Sequence, residues 1–135
     1  AYGLDGRNSY TGDCPHPLDP RRISGGSSSG SAWAVAAGVV PVALGTDTGG
    51  SIRLPAALCG IYGIRLGWST ERLAGVFPLA AGMDTVGWFT HDIEDMITTI
   101  DAVLAGPEPW NGANPVETGS PAADRDAHEG ERGAG

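Results

Sequence analysis

Two glycine–serine loops constrain this chain more than any other feature. The first is Gly25-Gly26-Ser27-Ser28-Ser29-Gly30-Ser31, and the second is Gly45-Thr46-Asp47-Thr48-Gly49-Gly50-Ser51-Ile52-Arg53. Adjacent glycines admit backbone shapes that side chains forbid, and they let another group come close. Between the loops lies Ala32-Trp33-Ala34-Val35-Ala36-Ala37, a good helix sequence closed by Gly38. The apolar run 39–44 follows and reads as a short buried strand. One helix and one strand are enough chain to bring the two loops together.

The alternation continues. Ile52 to Leu58 reads as a short helix ended by Gly60, and Ile61 to Leu66 as a second strand. Residues 67–90 are mixed, with Phe77–Ala80 and Asp84–Gly87 expected as turns. Thr90 or Asp92 is placed to cap a helix reaching Leu104, on which Ile93, Met96, Ile97, Ile100, Val103 and Leu104 keep a helical period. Strands alternating with helices predict an α/β fold. The opening 24 residues are rich in glycine and proline and read as looping chain. From about residue 107 the chain is acidic, with Pro, Gly, Asn and Ala, and Val116 is the only large aliphatic residue after Trp110. Such a stretch buries too little apolar surface to offset its ordering. Residues 1–106 are therefore expected to form a partial domain and 107–135 a disordered tail.

Charge narrows the function classes. The 135 residues carry 16 acidic and 8 basic side chains, a formal net charge of −8. That balance argues against direct nucleic-acid contact and against an anionic membrane as partner. No apolar run is long enough to cross a bilayer, and a cytoplasmic location is expected. All the basic residues are arginines, and the sequence contains no lysine. The chain begins at Ala1 and not at Met, which suggests processing or a piece of a longer protein. Cys14 and Cys59 have no metal-type spacing and read as free thiols of a reducing compartment. Cys59, in an apolar run, reads as a small buried hydrophobe. No metal and no cofactor is expected.

From the residues alone, each loop has more than one reading. Residues 25–31 form a small-residue turn, or a phosphate site at a helix N-terminus that lacks the Gly-Lys-Ser/Thr ending of a P-loop. Ser51 is an N-cap for the helix beginning at Ile52, or a nucleophile with N–H groups beside it. Asp47 and Arg53 flank Ser51 and read as an ion pair or loop clamp. His16, His91 and His128 are scattered and read as solvated or structural, and nothing supports a Ser51–His91 pair.

The stretch GGSSSGSAWAVAAGVVPVALGTDTGGSIRLPAALCGIYGIR, residues 25–65, resembles the signature region of the amidase signature hydrolases. The opening GRNSYTGDCPHPLDPRRISGG is similar to the segment that precedes the signature in amidases of the indoleacetamide hydrolase and glutamyl-tRNA amidotransferase A-subunit type. The likeness covers about residues 1–106. It implies a mixed central sheet flanked by helices, incomplete in a chain this short, and a Ser–Ser–Lys triad. Carried over by motif, Ser51 is the acyl-accepting nucleophile, and Ser27 is the bridging serine after a cis Gly26–Ser27 peptide. The N–H groups of Thr48, Gly49, Gly50 and Ser51 form the oxyanion hole, with Ser28, Asp47 and Arg53 as supporting residues.

The implied chemistry is acyl transfer. Ser51 attacks an amide carbonyl and Ser27 relays its proton to a neutral lysine base; ammonia or an amine leaves, and water releases the carboxylate. The family's lysine precedes the first serine, and this sequence has none. The expectation is that a parent protein hydrolyses the C–N bond of a small-molecule amide, while this chain alone shows little or no turnover. The remainder of the amidase domain is then the partner that completes the fold, and a homo-oligomer is compatible with the sequence. The alternative is a non-catalytic amidase-like scaffold or interaction module.

Overall fold

The computed structural model describes residues 3–69 and 71–104. The expected tail and its boundary near residue 107 lie outside them. In chain order the elements are α1 (Ser29–Ala36), β1 (Val42–Thr46), α2 (Arg53–Cys59), β2 (Tyr62–Arg65), a 3-10 turn (Glu71–Leu73), β3 (Val86–Thr90) and α3 (Ile93–Leu104). The fold is α/β, as expected. β1, β3 and β2 lie side by side in that order, and β3 runs antiparallel to both neighbours. β1 and β2 are thus parallel to each other, joined through α2, with the last strand inserted between them.

The sheet separates two layers of side chains, as the period of two along a strand requires. Phe89 points to one side and packs with Ala32 and Val35 of α1 and with Ile52, Ala56 and Cys59 around α2. Trp88 points to the other and packs with Leu66 and with Met96 of α3. Trp88 Nε1–H donates to Thr99 Oγ1 at 2.7 Å, so its polar tip is satisfied on that face.

Several local expectations need correction. The second half of the small-residue loop, from Ser29, is already the first turn of α1. Residues expected to open β1 are spent closing that helix: Val39 and Val40 both donate backbone N–H groups to Ala34 O. The strand consequently starts at Val42, one residue past Pro41, and runs on to Thr46. The largest change is at Val86-Gly87, expected as part of a turn; these residues begin β3, the central strand. Glycine has low strand propensity, which hides this element locally. The packing nonetheless requires it there, because a Cβ at Gly87 would collide with Ile64 O of β2. α3 matches its expectation, with Asp92 Oδ1 accepting the Asp95 N–H at 2.9 Å as its cap.

Candidate active site

The two loops meet at the end of β1. The Gly26–Ser27 peptide is cis. Gly25, with φ +78°, lies against α2, and a Cβ there would fall 2.8 Å from Pro55 Cα. This close approach carries Ser27 to Ser51: their hydroxyl oxygens are hydrogen-bonded at 3.1 Å. Ser51 is buried, at 5% exposure, and Ser27 is half-buried. Ser28 fastens the same junction. Its N–H donates to Ser51 O at 3.2 Å, and its hydroxyl donates to Thr46 O at the end of β1.

A single carboxylate organises the second loop. Asp47 is completely buried. Its Oδ1 accepts the Gly50 N–H, and its Oδ2 accepts those of Ile52 and Arg53. The Arg53 guanidinium closes on both oxygens, at 2.9 and 3.1 Å, and Arg65 Nε lies 3.6 Å from Oδ1. Burial alone would raise the Asp47 pKa; the Arg53 guanidinium and the three N–H groups outweigh it and hold the pKa down at about 2. The carboxylate also explains how α2 begins. Ser51 makes no side-chain cap to α2, so the capping reading of that residue gives way to a cap supplied by Asp47 from the preceding turn.

The Gly50 N–H, one of the four expected oxyanion donors, is therefore occupied by Asp47. Those of Thr48, Gly49 and Ser51 have no hydrogen-bond partner among the described residues. Sequence reasoning missed what holds Thr48. Its hydroxyl donates to Asp84 Oδ1 at 2.5 Å, while Asp84 Oδ2 accepts the Leu79 and Ala80 N–H groups. The hydrogen bond from Thr48 and those from the two N–H groups lower the Asp84 pKa against its burial. Asp47 and Thr85 exchange backbone hydrogen bonds at 2.8 and 3.2 Å, which extends the β1–β3 pairing into the loop. The only local signal for Asp84 was its place in an expected turn, and that signal said nothing about a partner 36 residues away.

The opening segment folds back beside Ser27. Cys14 N–H donates to Gly6 O, and Ser24 Oγ donates to Cys14 O. His16 Nδ1 accepts the Leu18 N–H, so Nε2 carries the proton and donates to Leu58 O at 2.8 Å; the residue is buried and structural. Cys59 donates its thiol to Ser24 O, and burial pushes its pKa up, as befits an inert core thiol. A cleft of about 320 Å³ opens between this segment and the first loop, with Arg7, Asn8, Asp13 and Ser27 on its wall.

Comparison with known proteins agrees with this architecture. Residues 1–132 match the amidase family. The chain is 46% identical over 108 residues to "Amidase 1" of Oryza sativa subsp. japonica, covering 80% of this chain and 25% of that protein. It is also 46% identical over 118 residues to the glutamyl-tRNA(Gln) amidotransferase A-subunit from Symbiobacterium thermophilum, covering 87% of this chain and 24% of that one. A crystal structure of an amidase superposes with a TM-score of 0.71 at 42% identity, over 75% of this chain and 23% of the other. This chain belongs to the amidase family. It spans about a quarter of the length of the curated relatives it matches.

Proposed function

We propose that this chain carries the nucleophile and its proton relay in a site that hydrolyses the C–N bond of a carboxylic amide. The observation that carries the reading is the 3.1 Å hydrogen bond between Ser27 Oγ and Ser51 Oγ. A hydroxyl both donates and accepts, so Ser27 can take the Ser51 proton while passing its own onward. Ser51 Oγ attacks the amide carbonyl, and negative charge gathers on the carbonyl oxygen. The N–H groups of Thr48, Gly49 and Ser51, without a partner among the described residues, are the donors available to that oxygen; Gly50 serves instead to hold the loop on Asp47. Asp47 and Arg53 act by keeping the loop in shape.

The base at the far end of the relay is a lysine supplied by a part of the parent protein outside this chain. The leaving amine departs with a proton, leaving an acyl-Ser51 ester that water hydrolyses. The test is a fluorophosphonate trap on the native parent protein, read by peptide mass spectrometry. The expected result is one adduct, on Ser51, lost in Ser51→Ala and strongly slowed in Ser27→Ala. Absence of label under native conditions would overturn the enzyme reading in favour of a non-catalytic scaffold.

A further inference from the structure

The residue after Ser51 sits in the sheet in an unusual way. Ile52 is fully buried beneath the loop, on the face shared by α1 and α2. Three glycines, one from each strand, lie under it. A Cβ at Gly45 of β1 would lie 3.0 Å from Ile52 Cγ1, one at Gly63 of β2 would lie 3.1 Å from Cγ2, and one at Gly87 of β3 would lie 3.0 Å from Cδ1. Each outer carbon of the isoleucine thus faces a different strand at a place where a side chain would press on it. Gly45 and Gly87 are register partners, and Gly63 pairs with Phe89 two residues along β3, so the three form one pit.

We propose that Ile52, seated in this pit, is the positioning residue that sets Ser51 Oγ against Ser27. The inference rests on the reading of Ser51 as nucleophile. Its physical basis is the shortness of the connection. Ser51 and Ile52 share a peptide; the Ile52 N–H is held by Asp47 Oδ2 at 3.1 Å, and Ser51 O by the Ser28 N–H at 3.2 Å. With the backbone tied on both sides, the depth of the isoleucine in the sheet decides where the hydroxyl stands. A β-branched side chain suits the pit because χ1 is stiff and both branches are in contact. Leucine has the same volume, but its branch is one carbon further out and leaves the Gly63 wall unfilled.

The experiment measures fluorophosphonate acylation of Ser51 in the parent protein, separating the saturating rate from the concentration that half-saturates it. Melting temperature is recorded alongside. Displacement of a reacting atom by a fraction of an ångström lowers the rate at saturation and leaves binding alone. Ile52→Val is expected to slow the saturating rate about 3-fold and Ile52→Leu about 10-fold, each with half-saturation unchanged within about 2-fold. Val35→Ala opens a cavity in the same core from the α1 side, at a residue outside the loop; it is expected to lower the melting temperature at least as much, with acylation unchanged within about 2-fold. If Ile52→Val and Ile52→Leu slow acylation no more than Val35→Ala does, Ile52 is ordinary core and the inference falls while the nucleophile reading stands. A wild-type protein that takes no label overturns both.

Discussion

The two faces of the small sheet each carry one large aromatic of β3, but they differ in what stands beside it. On the α3 face, Trp88 and Met96 fill space with large side chains, and a hydrogen bond to Thr99 takes care of the indole nitrogen. On the other face the strands present Gly45, Gly63 and Gly87 beside a fully buried Phe89, and further volume comes from Ile52 and from Val35 and Ala32 of α1. The first face binds a helix. The second packs on α1 and α2 and also lets a loop come down onto the backbone of the sheet, and that loop holds Ser51. A side chain at Gly45 or Gly63 would press on Ile52, and one at Gly87 would also meet the β2 backbone, so glycines stand where the loop is seated while Phe89 fills the space beside them.

The comparison can be broken by variants that should act on one face alone. The largest effect is expected from Asp47→Ala. It strands the N–H groups of Gly50, Ile52 and Arg53, and each buried donor left without a partner costs about 1–3 kcal/mol, while the 58% exposed Arg53 side chain returns to water. Denaturant unfolding should show that loss, and Ser51 acylation should fall with it at temperatures where the variant is folded. Met96→Ala comes next, at about 2 kcal/mol, the lower end for a buried methionine because α3 is open on its outer side. Acylation by Met96→Ala should match wild type; a matching loss of rate would mean that the faces are not independent.

An effect comparable to that of Met96→Ala, but graded with pH, is expected from acid. Asp47 titrates at about 2 in the folded chain against 3.8 for an ordinary aspartate. A folded-state pKa below the unfolded value means that the unfolded chain takes up the proton first. The contribution is complete above about pH 4 and is lost as pH falls toward 2. Stability measured across that window should decline in wild type and be flatter in Asp47→Asn. Equal slopes would show that other carboxylates govern the acid limb.

Much of the site was legible from residue order. The resemblance carried by the two glycine–serine loops pointed to Ser27 and Ser51, and Asp47 with Arg53 read as a clamp from their places around Ser51. Less legible was how the donors are divided. An Asx side chain that reaches N–H groups three, five and six residues ahead leaves no local period to detect, so the engagement of the Gly50 N–H by Asp47 is visible only in the fold. Asp84 was placed in a turn with no hint that it holds Thr48 from across the molecule.

What the sequence determined by itself is short-range: where α1 and α2 close at small residues and glycines, the period of α3, and the two serines set a helix and a strand apart. These follow from propensities and spacings that act over a few residues. Only the tertiary structure decided that Val86–Thr90 would run between β1 and β2, that a buried aspartate would cap α2 in place of Ser51, and that Ile52 would rest on three glycines from three strands. The reason is that each of these depends on close approach between backbones far apart in the chain. Glycine permits such approach, and by its lack of a side chain it leaves no hydrophobic pattern from which the approach could be read.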